Sequence, residues 1–143
     1  MRWTAFRVGA IAWVFTGVAH DILEFVLPVD PELTAAMRAS NIQVGPATLN
    51  AELLNRGVSL AMGLTMIVVG VLLWMIADLV RSGPERGLRF GVVALVSSAA
   101  LLAVAVVLIP GPPLVTFTVA TIAFAVALAP RRARSQAQGG AVS

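Results

Sequence analysis

Four long apolar runs, at residues 5–27, 53–79, 88–109 and 114–129, take up most of the chain, and most ionisable side chains gather at or near their ends. A helix rises about 1.5 Å per residue, so each run can cross most or all of a hydrocarbon layer about 30 Å thick. The pattern predicts an all-α fold, a four-helix transmembrane bundle forming one domain over residues 1–130. The fourth run is the shortest and is expected to stand nearly upright. Residues 131–143 begin with arginines and continue in Ser, Gln, Gly and Ala, the composition of a basic, disordered tail. No internal repeat argues for an inverted-topology transporter.

The connection between the first two runs has structure of its own. Asp30-Pro31-Glu32 supplies an N-cap oxygen, a proline suited to the first helical position and an acid near the positive end of the helix dipole. A short helix from Pro31 to about Ser40 is predicted, with Leu33, Ala36 and Met37 as an apolar stripe lying on the membrane surface or capping the bundle. Residues 41–47, containing Gly45-Pro46, return the chain to the second run. The start of the chain also fits a secretory signal, with Arg2 and Arg7 ahead of an apolar stretch and the small residues Gly17-Val18-Ala19. Apolar character resumes after His20, so a retained helix is expected.

Arginine placement predicts topology. Arg2 and Arg7 lie at the start of the chain, Arg81, Arg86 and Arg89 between the second and third runs, and Arg131, Arg132 and Arg134 after the fourth. Four crossings put all three groups on one side. Both termini are therefore expected in the cytoplasm, the long first loop outside, and the protein in a bacterial inner membrane as a multi-pass chain.

Composition supports a lipid environment: 59% of residues are hydrophobic and 12% charged, against about 25% charged in soluble domains. All ten basic residues are arginine, yet no aromatic side chain interleaves with the arginine run near the C-terminus, which argues against nucleic acid as a partner. The expected partners are the bilayer and either further copies of the chain or a larger membrane complex. Cysteine is absent, which excludes disulfides and thiolate metal sites.

Small residues mark helix seams, because close backbone approach carries much of the association between helices in lipid. Gly63 and Gly70 form one seam, Thr116, Ala120, Ala123 and Ala127 another, and Ala94, Ser98 and Ala105 a third. Met62 and Met66 read as core filler. Trp3 and Trp74 fit an aromatic belt, and Asp78 is expected to pair with Arg81 at the helix end.

The chemistry-bearing residues gather at one place. His20, Asp21 and Glu24 end the first run, about 20–26 Å along the axis from Arg7 and so near the outer boundary. His20 and Glu24 share a face with Gly17 and Trp13, whose indole either floors a pocket there or only packs; Asp21 points about 100° away. An antiparallel second helix brings Glu52, Asn55, Arg56 and Ser59 to the same depth. Arg56 is the expected counter-ion of Glu24 or Asp21. The cluster of Trp13, His20, Asp21, Glu24, Asn55, Arg56 and Ser59 reads first as a polar lid fixing the hairpin register. It reads second as a pocket for a lipophilic molecule or lipid headgroup, with His20 as hydrogen-bond partner and Arg56 as anion anchor. A zinc site would have to rely on carboxylates such as Asp21 or Glu52, and a single histidine cannot bracket a haem; no metal or other cofactor is expected. No ionisable residue lies between Arg89 and Arg131, so a charged path across the membrane is missing and pumping is disfavoured. The leading expectation is a non-enzymatic accessory subunit or homo-oligomer; the alternative is a binding protein or enzyme for a quinone or lipid.

Gly17-Val18-Ala19-His20, the loop 31–38 and the segment Arg56-Gly57-Val58-Ser59-Leu60-Ala61-Met62-Gly63-Leu64 resemble the DoxX-like four-helix bacterial membrane proteins. The resemblance covers the first two helices and their loop. It implies the four-helix architecture, with His20 and Gly63 as matching positions. DoxX-related proteins are linked to quinone-side oxidoreduction, but this chain supplies no redox centre of its own. Four-helix multidrug exporters fit by size and are disfavoured by the absence of a carboxylate midway along the first helix.

Overall fold

A computed structural model describes residues 2–79, 84–108 and 111–129. The chain forms α1 (Trp3–Val26), α2 (Pro31–Ala39), β1 (Ile42–Val44), β2 (Ala47–Leu49), α3 (Ala51–Leu79), α4 (Pro84–Leu108) and α5 (Pro112–Leu128). Three of these, α1, α3 and α4, are long and apolar enough to cross a membrane, and α5 is a shorter apolar helix of 17 residues. Arg81, Arg131, Arg132 and Arg134, and the tail at 131–143, lie outside the described residues.

Prolines set several boundaries. Leu27 is extended, as the residue before Pro28 must be to avoid the proline ring, and α1 stops there. Pro31, Pro84 and Pro112 each open a helix, where a missing N–H costs nothing because the first turn has no intrahelical acceptor for it. Asp30 caps α2, its Oδ1 accepting from Glu32 N at 2.8 Å and Leu33 N at 3.4 Å. Beyond α2 the chain makes a feature absent from the hydropathy pattern, a small antiparallel hairpin pairing Ile42 with Leu49 and Val44 with Ala47. Gly45 takes φ 57° at its tip, a conformation open to glycine at little cost.

Helix α1 is central: it packs on α3 and on α5, α4 packs on α5, and α2 rests on the start of α3. The core is aromatic and small. Phe6 meets Phe124 edge-on at 5.1 Å and Trp13 meets Phe117 at 5.5 Å, while Ala94, Ala105, Ala120, Ala123 and Ala127 are buried around them. Met66 is buried, but Met62 is 40% exposed and faces away from the core. On the α1–α3 seam, a Cβ at Gly70 would stand 2.7 Å from Val14 N, so only glycine lets the two backbones come this close. Gly63 does the same for Asp21, whose carboxylate occupies the space a side chain there would need.

At the Arg7 end, Arg7 pairs with Asp78 and lies 5.2 Å over the Trp74 ring. Asp78 thus finds its cation on α1. The chain start is fixed beside it by Arg2 N donating to Ala127 O at 2.8 Å.

Candidate functional site

At the opposite end of α1, one helical turn carries His20 and Glu24 toward α3. Ser59, two turns into α3, stands between them. Its hydroxyl donates to Glu24 Oε2 at 2.7 Å, and its oxygen lies 3.0 Å from His20 Nε2. An ionised carboxylate only accepts and a hydroxyl has one proton. That proton is committed to Glu24, so His20 Nε2 carries the hydrogen and donates to Ser59. When the ring is neutral this holds it in the Nε2–H tautomer, with Nδ1 left as an acceptor.

Beside this bridge is an open cavity of about 380 Å³. Phe15, Leu23 and Leu27 of α1 and its exit, with Pro112 and Pro113 of α5, give it apolar walls; His20, Glu24, Thr16, Asn55 and Thr116 give it polar ones. A second cavity of about 310 Å³ adjoins it beneath α2. Glu24, Leu27, Val29 and Asn55 line both, and Arg38, Glu52 and Arg56 line only the second.

The structure distributes the seven expected site residues among different partners. His20, Glu24 and Ser59 form one hydrogen-bonded set, and Asn55 lies at the rim of both cavities. Arg56 is not the counter-ion of either carboxylate: its guanidinium lies 4.9 Å over the Phe25 ring, an attraction between cation and aromatic face. Asp21, turned away from His20, packs against Gly63 with its Oδ1 enclosed and without a hydrogen-bond partner. Trp13 does not line the cavity; it is 6% exposed and donates its indole N–H to Ser98 Oγ on α4 at 2.8 Å. Glu52 pairs with Arg38, holding α2 against α3. Its hydrogen bond, and then its charge, raises the already high pKa of Arg38.

Sequence reasoning did not include the α5 contribution, Pro112, Pro113 and Thr116. Along the chain, Pro110-Gly111-Pro112-Pro113 reads as an uncharged turn on the outer side between the third and fourth runs. Its position opposite His20 follows from α1 packing on α5. Among the described residues, no group of three His, Cys, Asp or Glu side chains is placed to hold a metal ion.

No protein-family model, no curated protein and no solved structure matches the chain.

Proposed function

We propose that this chain is a multi-pass membrane protein that holds a lipophilic small molecule at the outer end of a four-helix bundle, without catalysing a reaction by itself. The observation that carries the proposal is the open cavity of about 380 Å³ between α1 and the start of α5, into which His20 and Glu24 face. Ligand sites are concave and mostly apolar, with a few fixed polar groups, and this cavity has that character. A polar cluster serving only as a lid needs no such space beside it. The Ser59 bridge nevertheless also serves packing, because it ties α1 to α3.

In this reading all of α1, α3, α4 and α5 cross the membrane, the termini lie in the cytoplasm and the α2–hairpin segment lies outside. A bacterial inner membrane and kinship with DoxX-like proteins belong to the same proposal, as does assembly with further copies or a larger complex. Support for the topology comes from the arginine distribution and from the paired Asp78 and Arg7 at the end of α1 opposite Glu24.

The test is mass spectrometry of small molecules retained after purification in gentle detergent. Ala19 also lines the cavity; a lipophilic compound in fixed ratio to wild-type protein, lost in the cavity-filling variant Ala19→Phe, supports the reading. Equal retention by both proteins, or no retained compound beyond bulk lipid, overturns it.

A further inference from the structure

The hydrogen-bonding character of the cavity selects a class of head group, an inference that rests on the binding reading above. Each hydroxyl in its wall has already given away its proton. Thr16 donates to Ala12 O at 2.6 Å and Thr116 to Pro113 O at 3.2 Å. Ser59 donates to Glu24, and a neutral His20 spends its one N–H on Ser59. What these groups have left is lone pairs.

Among the described residues, His20 Nδ1 and Glu24 Oε1 have no hydrogen-bond partner. The enclosed side-chain polar atoms without a partner, among the described residues, are Asp21 Oδ1 and Thr121 Oγ1. His20 Nδ1 and Glu24 Oε1 are not among these enclosed atoms, and both residues line the open cavity. Both are acceptors, and Glu24 has no cation within ion-pairing distance among the described residues.

The α5 side of the cavity is equally poor in donors. A helix start normally presents several unpaired N–H groups and suits anions. Here Pro112 and Pro113 have no N–H to present, and Leu114 N is bonded to Gly111 O at 3.0 Å. Arg56, the nearest cation on α3, lines the neighbouring cavity and lies over Phe25. Among the described lining side chains, Asn55 is the one that still offers N–H groups, and its amide serves as donor or acceptor alike.

We infer that the cavity takes an apolar molecule whose head is a protonated primary amine, with its N–H groups on Glu24 Oε1 and His20 Nδ1 and its chain along Phe15, Leu23 and Pro113. A carboxylate, a phosphate or a quinone carbonyl would bring acceptors to His20 Nδ1 and Glu24 Oε1, with the Asn55 amide alone to donate. A quaternary ammonium would match the charge but donate no hydrogen bond.

The experiment compares four ten-carbon probes, decylamine, decanol, decyltrimethylammonium and decanoate, against the full-length protein in maltoside micelles at neutral pH, with binding read by native mass spectrometry. Charged hydrogen bonds predict that decylamine binds about tenfold more tightly than decyltrimethylammonium or decanoate. Glu24→Gln should bring decylamine down to the level of decanol. Decanoate or decyltrimethylammonium binding as well as decylamine, with Ala19→Phe abolishing it, overturns the head-group inference and leaves the cavity reading standing. Binding of none of the four, or binding unchanged in Ala19→Phe, overturns both. The wild-type comparison decides the matter even if Glu24→Gln fails to fold.

Discussion

The indole of Trp13 on α1 donates to Ser98 Oγ on α4 at 2.8 Å, across a core in which α4 otherwise packs chiefly on α5. Both residues are buried, and no other side-chain hydrogen bond joins α4 to α1 among the described residues. The bond therefore fixes the rotation of α4 relative to the helix that carries the site. Ser98→Ala should cost about 1 kcal/mol, the scale of polar contacts between membrane helices. Thermal unfolding in detergent and a change in tryptophan emission check it; an unchanged transition would mean the indole is satisfied elsewhere.

Asp21 and Gly63 share one space. Gly63→Ala puts a methyl group where the Asp21 carboxylate lies, and overpacking of this kind costs about 1–3 kcal/mol. Asp21→Ala should remove the conflict, so the double variant is expected to be more stable than Gly63→Ala alone. Gly17→Ala has no such remedy, since its Cβ would meet the Gly63 carbonyl of the α3 backbone. A double-mutant cycle by denaturation measures the coupling, and additive effects at positions 21 and 63 would count against the contact.

His20→Ala should leave helix content and monodispersity unchanged while the compound retained by wild-type protein is lost. Ser59→Ala is expected to weaken retention several-fold, because it frees His20 to adopt either tautomer and releases Glu24 from its orientation. Circular dichroism, size-exclusion chromatography and mass spectrometry of retained compounds together separate this outcome from misfolding. Loss of the folded protein in His20→Ala would make the cluster a packing element first.

The Arg38–Glu52 pair holds α2 over the second cavity, with the Arg38 side chain 65% exposed and Glu52 26%. Exposed pairs contribute little to global stability. Arg38→Gln should therefore leave the unfolding transition unchanged while raising backbone hydrogen exchange across Pro31–Ala39. High salt should act on the wild-type protein in the same direction. Exchange confined to other segments would show that α2 is held by its apolar contacts instead.

The local features were legible because their causes are local. Apolar run length and the prolines place α1, α3, α4 and α5 to within a few residues. Asp30-Pro31-Glu32 specifies α2 through its own backbone. The four-residue spacing of His20 and Glu24 puts them on one face regardless of what they meet, and antiparallel return of the chain brings Ser59 to their depth. The hairpin at residues 42–49 leaves no mark in the hydropathy pattern because its strands are only three residues long.

Which helix faces which was settled by packing, as the partners show: Asp78 with Arg7, Glu52 with Arg38, Arg56 with Phe25 and Trp13 with Ser98. Lipid is as apolar as the core, so α1 carries Phe15 and Ile11 outward and Phe6 inward with no difference in residue type to tell them apart. Hydropathy therefore marks that a helix spans without marking which side of it is covered. The packing of α1 on α5 brings Pro112, Pro113 and Thr116 opposite His20 and makes a cavity out of what, along the chain, is only a polar cluster near a helix end.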